Sequence, residues 1–282
     1  MGDIYLGIAI IGLLSVGAFF LAAQLARVLP RLLSDLLGPV VILAMVVYIR
    51  DVWDNLLLAR LLPFSNVIIV GNWFPLATCF LAGLAWWKLR PSRIRRMICV
   101  ILLLAMGSCA LIYPLQGAPP KCLDVWSDGV SIQTTWNTCS AACAATLLKA
   151  YQIPTTEQEM ADLCLTRKGT HWQGLYRGLK LKTAQTPWQV EVLSGCSVDD
   201  LRRFVRSGPV ILTVELNDAA TADPRYTEEW GWIPGVSHST VLFEFTSRAS
   251  LEVGDPANGR ERWQLSDLNI LWHGQGMRLV RR

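Results

Sequence analysis

Four apolar segments crowd the first 115 residues, and the rest of the chain has the make-up of an ordinary soluble domain. A bilayer crossing needs about 20 predominantly apolar residues, and residues 4–23, 37–49, 61–87 and 97–115 are the candidate spans. The second is short: to cross, it must recruit residues 33–36 or carry Arg50 and Asp51 near an interface. No basic n-region precedes the first run, so it is expected to be an uncleaved span rather than a signal peptide. The 52% hydrophobic content and mean hydropathy of +0.35 are too high for an ordinary soluble chain, and the excess lies before residue 116.

A formal charge of +4 suggests nucleic acid until it is divided along the chain. Nine Lys/Arg stand against four Asp/Glu before residue 117, and seventeen against eighteen after it. The second half is therefore near neutral, with no nucleic-acid partner expected. Five basic residues (Lys88, Arg90, Arg93, Arg95 and Arg96) occupy the short link between the last two segments. The positive-inside rule puts that link in the cytoplasm. The last span then runs outward, and residues 117–282 are expected on the periplasmic or extracellular side.

Eight cysteines are present. Cys79, Cys99 and Cys109 lie in apolar segments and read as small hydrophobes. Cys122, Cys139, Cys143, Cys164 and Cys196 follow; with Cys139 free, the other four suffice for two disulfides in an oxidising compartment. Spacing leaves all three pairings open, with Cys143–Cys164 slightly preferred. No Cys-x-x-Cys pair and no histidine beside the cysteines points to a metal site.

A Pro/Gly-rich stretch, residues 114–120, divides the chain into two expected domains: 1–116, an all-α region of about four transmembrane helices, and 117–282, of ordinary single-domain size. In the second, helices come first. They are expected over residues 140–151, from a Thr156/Glu159 capping box to about 165, over 171–181, and from Ser197/Asp200 to the stop at Gly208-Pro209. Strands follow at 210–216, 239–245, 251–253, 261–265 and 277–280. This order predicts an α+β domain with helices packed on an antiparallel sheet.

Chemistry concentrates where these elements begin. Cys139 opens an Ala/Leu-rich helix, whose positive end favours thiolate over thiol. A thiol hydrolase also needs an imidazole, a group to orient it and donors for the oxyanion. Of only three histidines, His238 heads an alternating strand, and Asp255 ends the next one. Gln133, six residues before Cys139, can fold its amide over the helix start. Each has a plainer explanation: a core cysteine, a loop histidine, a hairpin Asp255-Pro-Ala-Asn-Gly259. Their order along the chain favours the catalytic one.

These residues resemble the double-glycine leader peptidases, papain-like cysteine peptidases of bacteriocin-processing exporters. Cys139-Ser-Ala-Ala-Cys143-Ala-Ala with Gln133 before it, Gly208-Pro-Val-Ile, His238-Ser-Thr-Val-Leu and Asp255-Pro-Ala-Asn-Gly259 match that family's blocks over most of residues 125–282. The resemblance implies a papain-like fold and a cysteine endopeptidase acting on a peptide or protein. It makes Cys139 the nucleophile, His238 the general base and acid, Asp255 the orienting group and Gln133 the oxyanion donor, with no metal or organic cofactor. Ser140 stands where the family has glycine, either crowding the oxyanion approach or harmless in a first helical turn. Thr138 replaces a frequent acidic residue and caps a helix well. The chain has no Gly-x-x-x-x-Gly-Lys-[Ser/Thr] and its domain is expected to face outward, so leader specificity is not implied. The rival reading is a non-catalytic papain-like module that binds peptides or supports a secretion or surface assembly; a transporter with the domain as its lid is a third. Trp136, Trp230 and Trp232 are candidate cleft walls, and residues 217–235 a candidate lid.

Overall fold

The computed structural model describes residues 1–89, 92–217 and 223–282, in two compact units, Met1–Gln116 and Gly117–Arg282. The first unit is helical: α1 (Gly2–Val28), α2 (Arg31–Val47), α3 (Leu58–Leu61), α4 (Val67–Val70), α5 (Phe74–Lys88) and α6 (Arg93–Ile112). A π-helical turn, Tyr48–Val52, prolongs α2, so that residues 31–52 form one 22-residue apolar stretch. The second segment thus does recruit residues 33–36, and its bonded Arg50 and Asp51 sit at its end. The third segment is a helical stretch over 67–88, interrupted between α4 and α5. There Asn72 accepts from the Phe74 N–H at 3.3 Å and donates to the Ala110 carbonyl at 2.9 Å.

Four helical stretches, 2–28, 31–52, 67–88 and 93–115, are long and apolar enough to cross a membrane. The 67–88 stretch is 56% buried, the others 22%, 6% and 11%, so α5 is the packing centre and the other three turn apolar side chains outward. Close packing of α5 on α1 depends on Gly83, where a Cβ would lie 2.2 Å from the Phe19 carbonyl oxygen. Arg27 and Arg96 stack on Trp87 and Trp86 at the basic end of α5, the mix of cation and indole that suits a headgroup layer. Arg90 of the basic link lies outside the described residues.

The second unit begins with a hairpin, β1 (Val125–Ser127) and β2 (Val130–Ile132), turned by Asp128 and Gly129, both at positive φ. Then come α7 (Cys139–Ala150), α8 (Glu157–Leu163), α9 (Trp172–Thr183), β3 (Trp188–Leu193), α10 (Val198–Phe204), β4 (Val210–Glu215), β5 (Ser237–Glu244), β6 (Ser250–Asp255), β7 (Gly259–Gln264), α11 (Leu265–Leu271) and β8 (Trp272–Arg281). The sheet order is β3-β8-β4-β5-β6-β7, antiparallel throughout. This is the α+β arrangement of helices on an antiparallel sheet that the helix-then-strand order predicts.

Local chemistry explains most boundaries. Thr156 accepts from the Glu159 N–H at 3.0 Å, but the Glu159 carboxylate bonds Thr155 and Lys182 instead of returning to the cap, so the expected capping box is half formed. The Ser197/Asp200 box is complete. The hairpin β1–β2, strand β3 and helix α11 were not foreseen. α11 interrupts what reads in sequence as the end of a strand, because Gln264 and Asp267 cap each other's backbone.

α7 is buried from Ser140 to Leu148 and packs on β4 and β5; its alanines let it approach the sheet closely. The opposite core joins Leu201 of α10 and Leu268 and Leu271 of α11 to Val210, Leu212, Val214, Leu242 and Trp263. The expected disulfides are not formed: none of the five cysteines of this unit is joined to another by an S–S bond. Cys143 and Cys164 are held apart by different neighbours. The Cys143 thiol donates to the Ser239 carbonyl at 3.1 Å, while the Cys164 sulfur lies against Gly178 of α9.

Candidate active site

Three elements converge. Cys139 is the first residue of α7, where the helix ladder leaves backbone N–H groups unused. Its N-cap, Thr138, folds the preceding turn by bonding the Thr135 carbonyl at 2.9 Å and the Thr135 N–H at 3.2 Å. His238 is the second residue of β5, paired with Val214 of β4, and belongs to the strand rather than to the loop before it. The register that pairs Val241 with Gly254 sets Asp255 opposite Thr240, and thus on the same side of the sheet as His238. The diagonal closes: His238 Nε2 lies 3.0 Å from Asp255 Oδ1. The same oxygen accepts the Ala257 N–H at 2.7 Å. Asp255 is thus both the turn residue and the ring's partner. The hairpin is closed by three residues, 256–258, and the left-handed residue is Gly259 at φ 98°, which opens β7 opposite Asp255.

With Nε2 on Asp255, Nδ1 is the ring nitrogen left for sulfur, and the Cys139 thiol and the His238 ring lie close enough for each to shift the other's titration. Electrostatics follow from that geometry. Burial alone would raise the Cys139 thiol, but the His238 bond and charge, the Ser239 N–H and the Ser140 hydroxyl overcome it and leave the thiol below its ordinary value. Burial likewise opposes charge on His238, yet its bonds to Asp255 and Cys139 push it up to about 10. Both directions favour a thiolate–imidazolium pair. Asp255 is fully buried, its Oδ2 without a partner among the described residues.

Gln133 follows β2, and its N–H donates to the carbonyl of Pro256, next to Asp255, at 2.7 Å. Its side-chain oxygen is buried without a hydrogen-bond partner among the described residues, so it is not tied into the surrounding fold. The neighbouring Thr134 is clamped by the buried Glu157, which accepts from its N–H at 2.8 Å and its hydroxyl at 2.6 Å.

The aromatic residues divide. Trp232 packs on the His238 ring at 5.5 Å and, with Trp230 and Trp263, forms one cluster. Trp136 is instead 71% exposed in the turn before Cys139. Residues 218–222 of the candidate lid lie outside the described residues. From Asp223 onward the segment is anchored by Arg225, which bonds Asp267 at 2.8 Å. Sequence reasoning passed over Glu157 and Ser239. Nothing in the spacing marks a glutamate as buried, and Ser239 becomes notable only once α7 lies on it. Among the described residues, no group of three or more His, Cys, Asp or Glu could hold a metal ion.

Comparison with known proteins gives the following. The sequence pattern of the Peptidase_C39 like family matches residues 129–275. No curated protein matches the chain. Among solved structures, a double glycine motif protease from an AMS/PCAT transporter, crystallised with the leader peptide, is similar at 15% identity. The match covers 54% of this chain and 91% of that one, with a TM-score of 0.40. The peptidase domain of Streptococcus ComA, described as a bi-functional ABC transporter involved in a quorum sensing pathway, is 18% identical over 54% of this chain and 98% of its own, with a TM-score of 0.41. For the peptidase domain of Streptococcus mutans ComA the values are 15%, 54%, 98% and 0.35.

Proposed function

This chain belongs to the Peptidase_C39 like family, and from that premise we propose that it is a membrane-anchored cysteine endopeptidase acting through Cys139, His238, Asp255 and Gln133. The observation that carries the reading is the 3.0 Å approach of His238 Nε2 to the buried Asp255 Oδ1, with the Cys139 thiol near enough to that ring to be held below its ordinary value by it. A hydrogen-bonded cysteine alone can be structural; a thiol lowered by an imidazole that is itself raised by a buried carboxylate is what nucleophilic attack requires.

In this mechanism the Cys139 thiolate adds to a peptide carbonyl. The oxyanion is met by the Cys139 N–H at the start of α7 and by the Gln133 side-chain amide. His238, already protonated, gives its proton to the leaving amine as the C–N bond breaks. The ring then takes a proton from the incoming water as its oxygen adds to the acyl carbon, and breaking of the C–S bond releases the acid product and restores the thiolate beside the protonated ring. Asp255 keeps the ring in the tautomer that turns Nδ1 to sulfur.

The peptidase unit, residues 117–282, would sit on the extracytoplasmic side, tethered by residues 1–116. Its substrate class is a peptide or protein. The test is labelling of the full chain in detergent by a thiol-directed covalent inhibitor, mapped by peptide mass spectrometry. Labelling concentrated at Cys139, lost in Cys139→Ala and slowed near neutral pH in His238→Ala, is the expected result. Equal labelling of all exposed cysteines would leave the peptide-binding module as the better reading.

A further inference from the structure

Ser140, which stands where the resembled family has glycine, is engaged through its hydroxyl. Its Oγ lies 2.8 Å from the Oγ of Ser239, 99 positions further along the chain, and 4.0 Å from Cys139 Sγ. Both serines are buried, 7% and 6% exposed. The other groups of Ser239 are engaged with the same helix: its carbonyl accepts from Cys143 at 3.1 Å, and its N–H faces the Cys139 sulfur. β5 therefore meets the first two turns of α7 through the hydroxyl and the carbonyl of one serine.

Two hydroxyls in contact carry two protons, and only one can lie between their oxygens. The remaining proton must point elsewhere, and the sulfur is the acceptor in reach. We propose that Ser239 donates to Ser140 and Ser140 donates to the Cys139 thiolate. Ser140 is thereby a donor to the reacting sulfur, and the Ser239 hydroxyl is a positioning group that aims it. A contact of 4.0 Å is long, and catalytic hydrogen bonds that are long without substrate commonly tighten once it is bound. The inference rests on the peptidase reading. It deepens that reading by giving the thiolate a donor independent of the imidazole. The titratable groups around that sulfur are His238 of β5 and Cys143 of α7, with Asp255 of β6 behind the ring and Glu261 of β7 within range of its charge.

The test uses the full chain in detergent micelles and follows iodoacetamide alkylation of Cys139 against pH at the peptide level. In Ser140→Ala the alkylation midpoint is expected to rise by about one pH unit, about tenfold less thiolate below both midpoints. Ser239→Ala, which leaves Ser140 unaimed, is expected to raise it by a smaller amount. A midpoint unchanged in Ser140→Ala, with only the melting temperature lowered, overturns the proposal and reduces the two serines to a staple between helix and strand. Should Ser140→Ala not fold, an unchanged midpoint in Ser239→Ala overturns it equally. A wild-type Cys139 that titrates like an ordinary cysteine overturns the peptidase reading as well, which separates the two failures.

Discussion

At the scale of single residues, the pH behaviour of the proposed chemistry follows from two opposite displacements. Cys139 lies below its ordinary value and His238 is pushed up to about 10. The reactive ion pair is therefore populated between those limits, and peptide hydrolysis should show a bell whose acid limb falls below an ordinary thiol and whose alkaline limb lies near pH 10. The stability linkage carries the same signs. The contribution of His238 is fully present below 6.5 and is lost as pH rises towards 10; that of Cys139 is present above 9 and is lost as pH falls through its lowered value. Asp255→Asn retains a side chain that can reach the ring but removes the charge that holds its proton. The alkaline limb should then move down towards 6.5, with kcat reduced by about 100-fold or more. A limb that stays near pH 10 in that variant would remove Asp255 from its proposed role.

At the scale of elements, the site depends on how closely helices approach. α9 lies against the end of α8 through two glycines one turn apart, Gly174 and Gly178. A Cβ on the first would come within 2.1 Å of the Cys164 carbonyl oxygen, and on the second within 2.3 Å of its sulfur. Backbone cannot yield as a side chain can, so Gly174→Ala should cost at least the 1–3 kcal/mol typical of overpacking and lower the melting temperature clearly. Thr156→Ala, which removes a single cap bond to Glu159, should cost only about 1 kcal/mol. Thermal denaturation of both variants checks the order; a larger loss at Thr156 would mean that α8 is held by its cap rather than by its packing. Helix starts with Thr156 and Ser197 caps were legible in the sequence because the signal is local. Strand β3 and helix α11 were not, since their ends are set by pairing with β8 and by a cap that uses Gln264 instead of the common Ser or Asp.

For the whole molecule, the four apolar stretches and the basic link 88–96 support the arrangement proposed above, with the link inside and residues 117–282 outside. A reporter that is active only beyond the cytoplasmic membrane should work when fused after Arg282 and fail when inserted after Ser92. Activity in the reverse pattern would put residues 117–282 in the cytoplasm, where the absence of disulfides among their five cysteines would be expected chemically.

The sequence by itself determined what depends on composition and short-range order. Apolar length fixed the helical first half, the run of helix caps followed by alternating strands fixed an α+β second half, and the scarcity of histidines narrowed the search for a base to three positions. Only the tertiary structure decided which groups meet. The partnership of His238 with Asp255 is set by the β5–β6 register, and the use of Ser239 is set by where α7 crosses β5. The separate fates of Cys143 and Cys164 follow from packing against different elements, the first on β5 and the second on α9. Such contacts join residues up to 99 positions apart, and a distance of 3 Å across that span has no trace in local pattern because folding, not spacing, closes it.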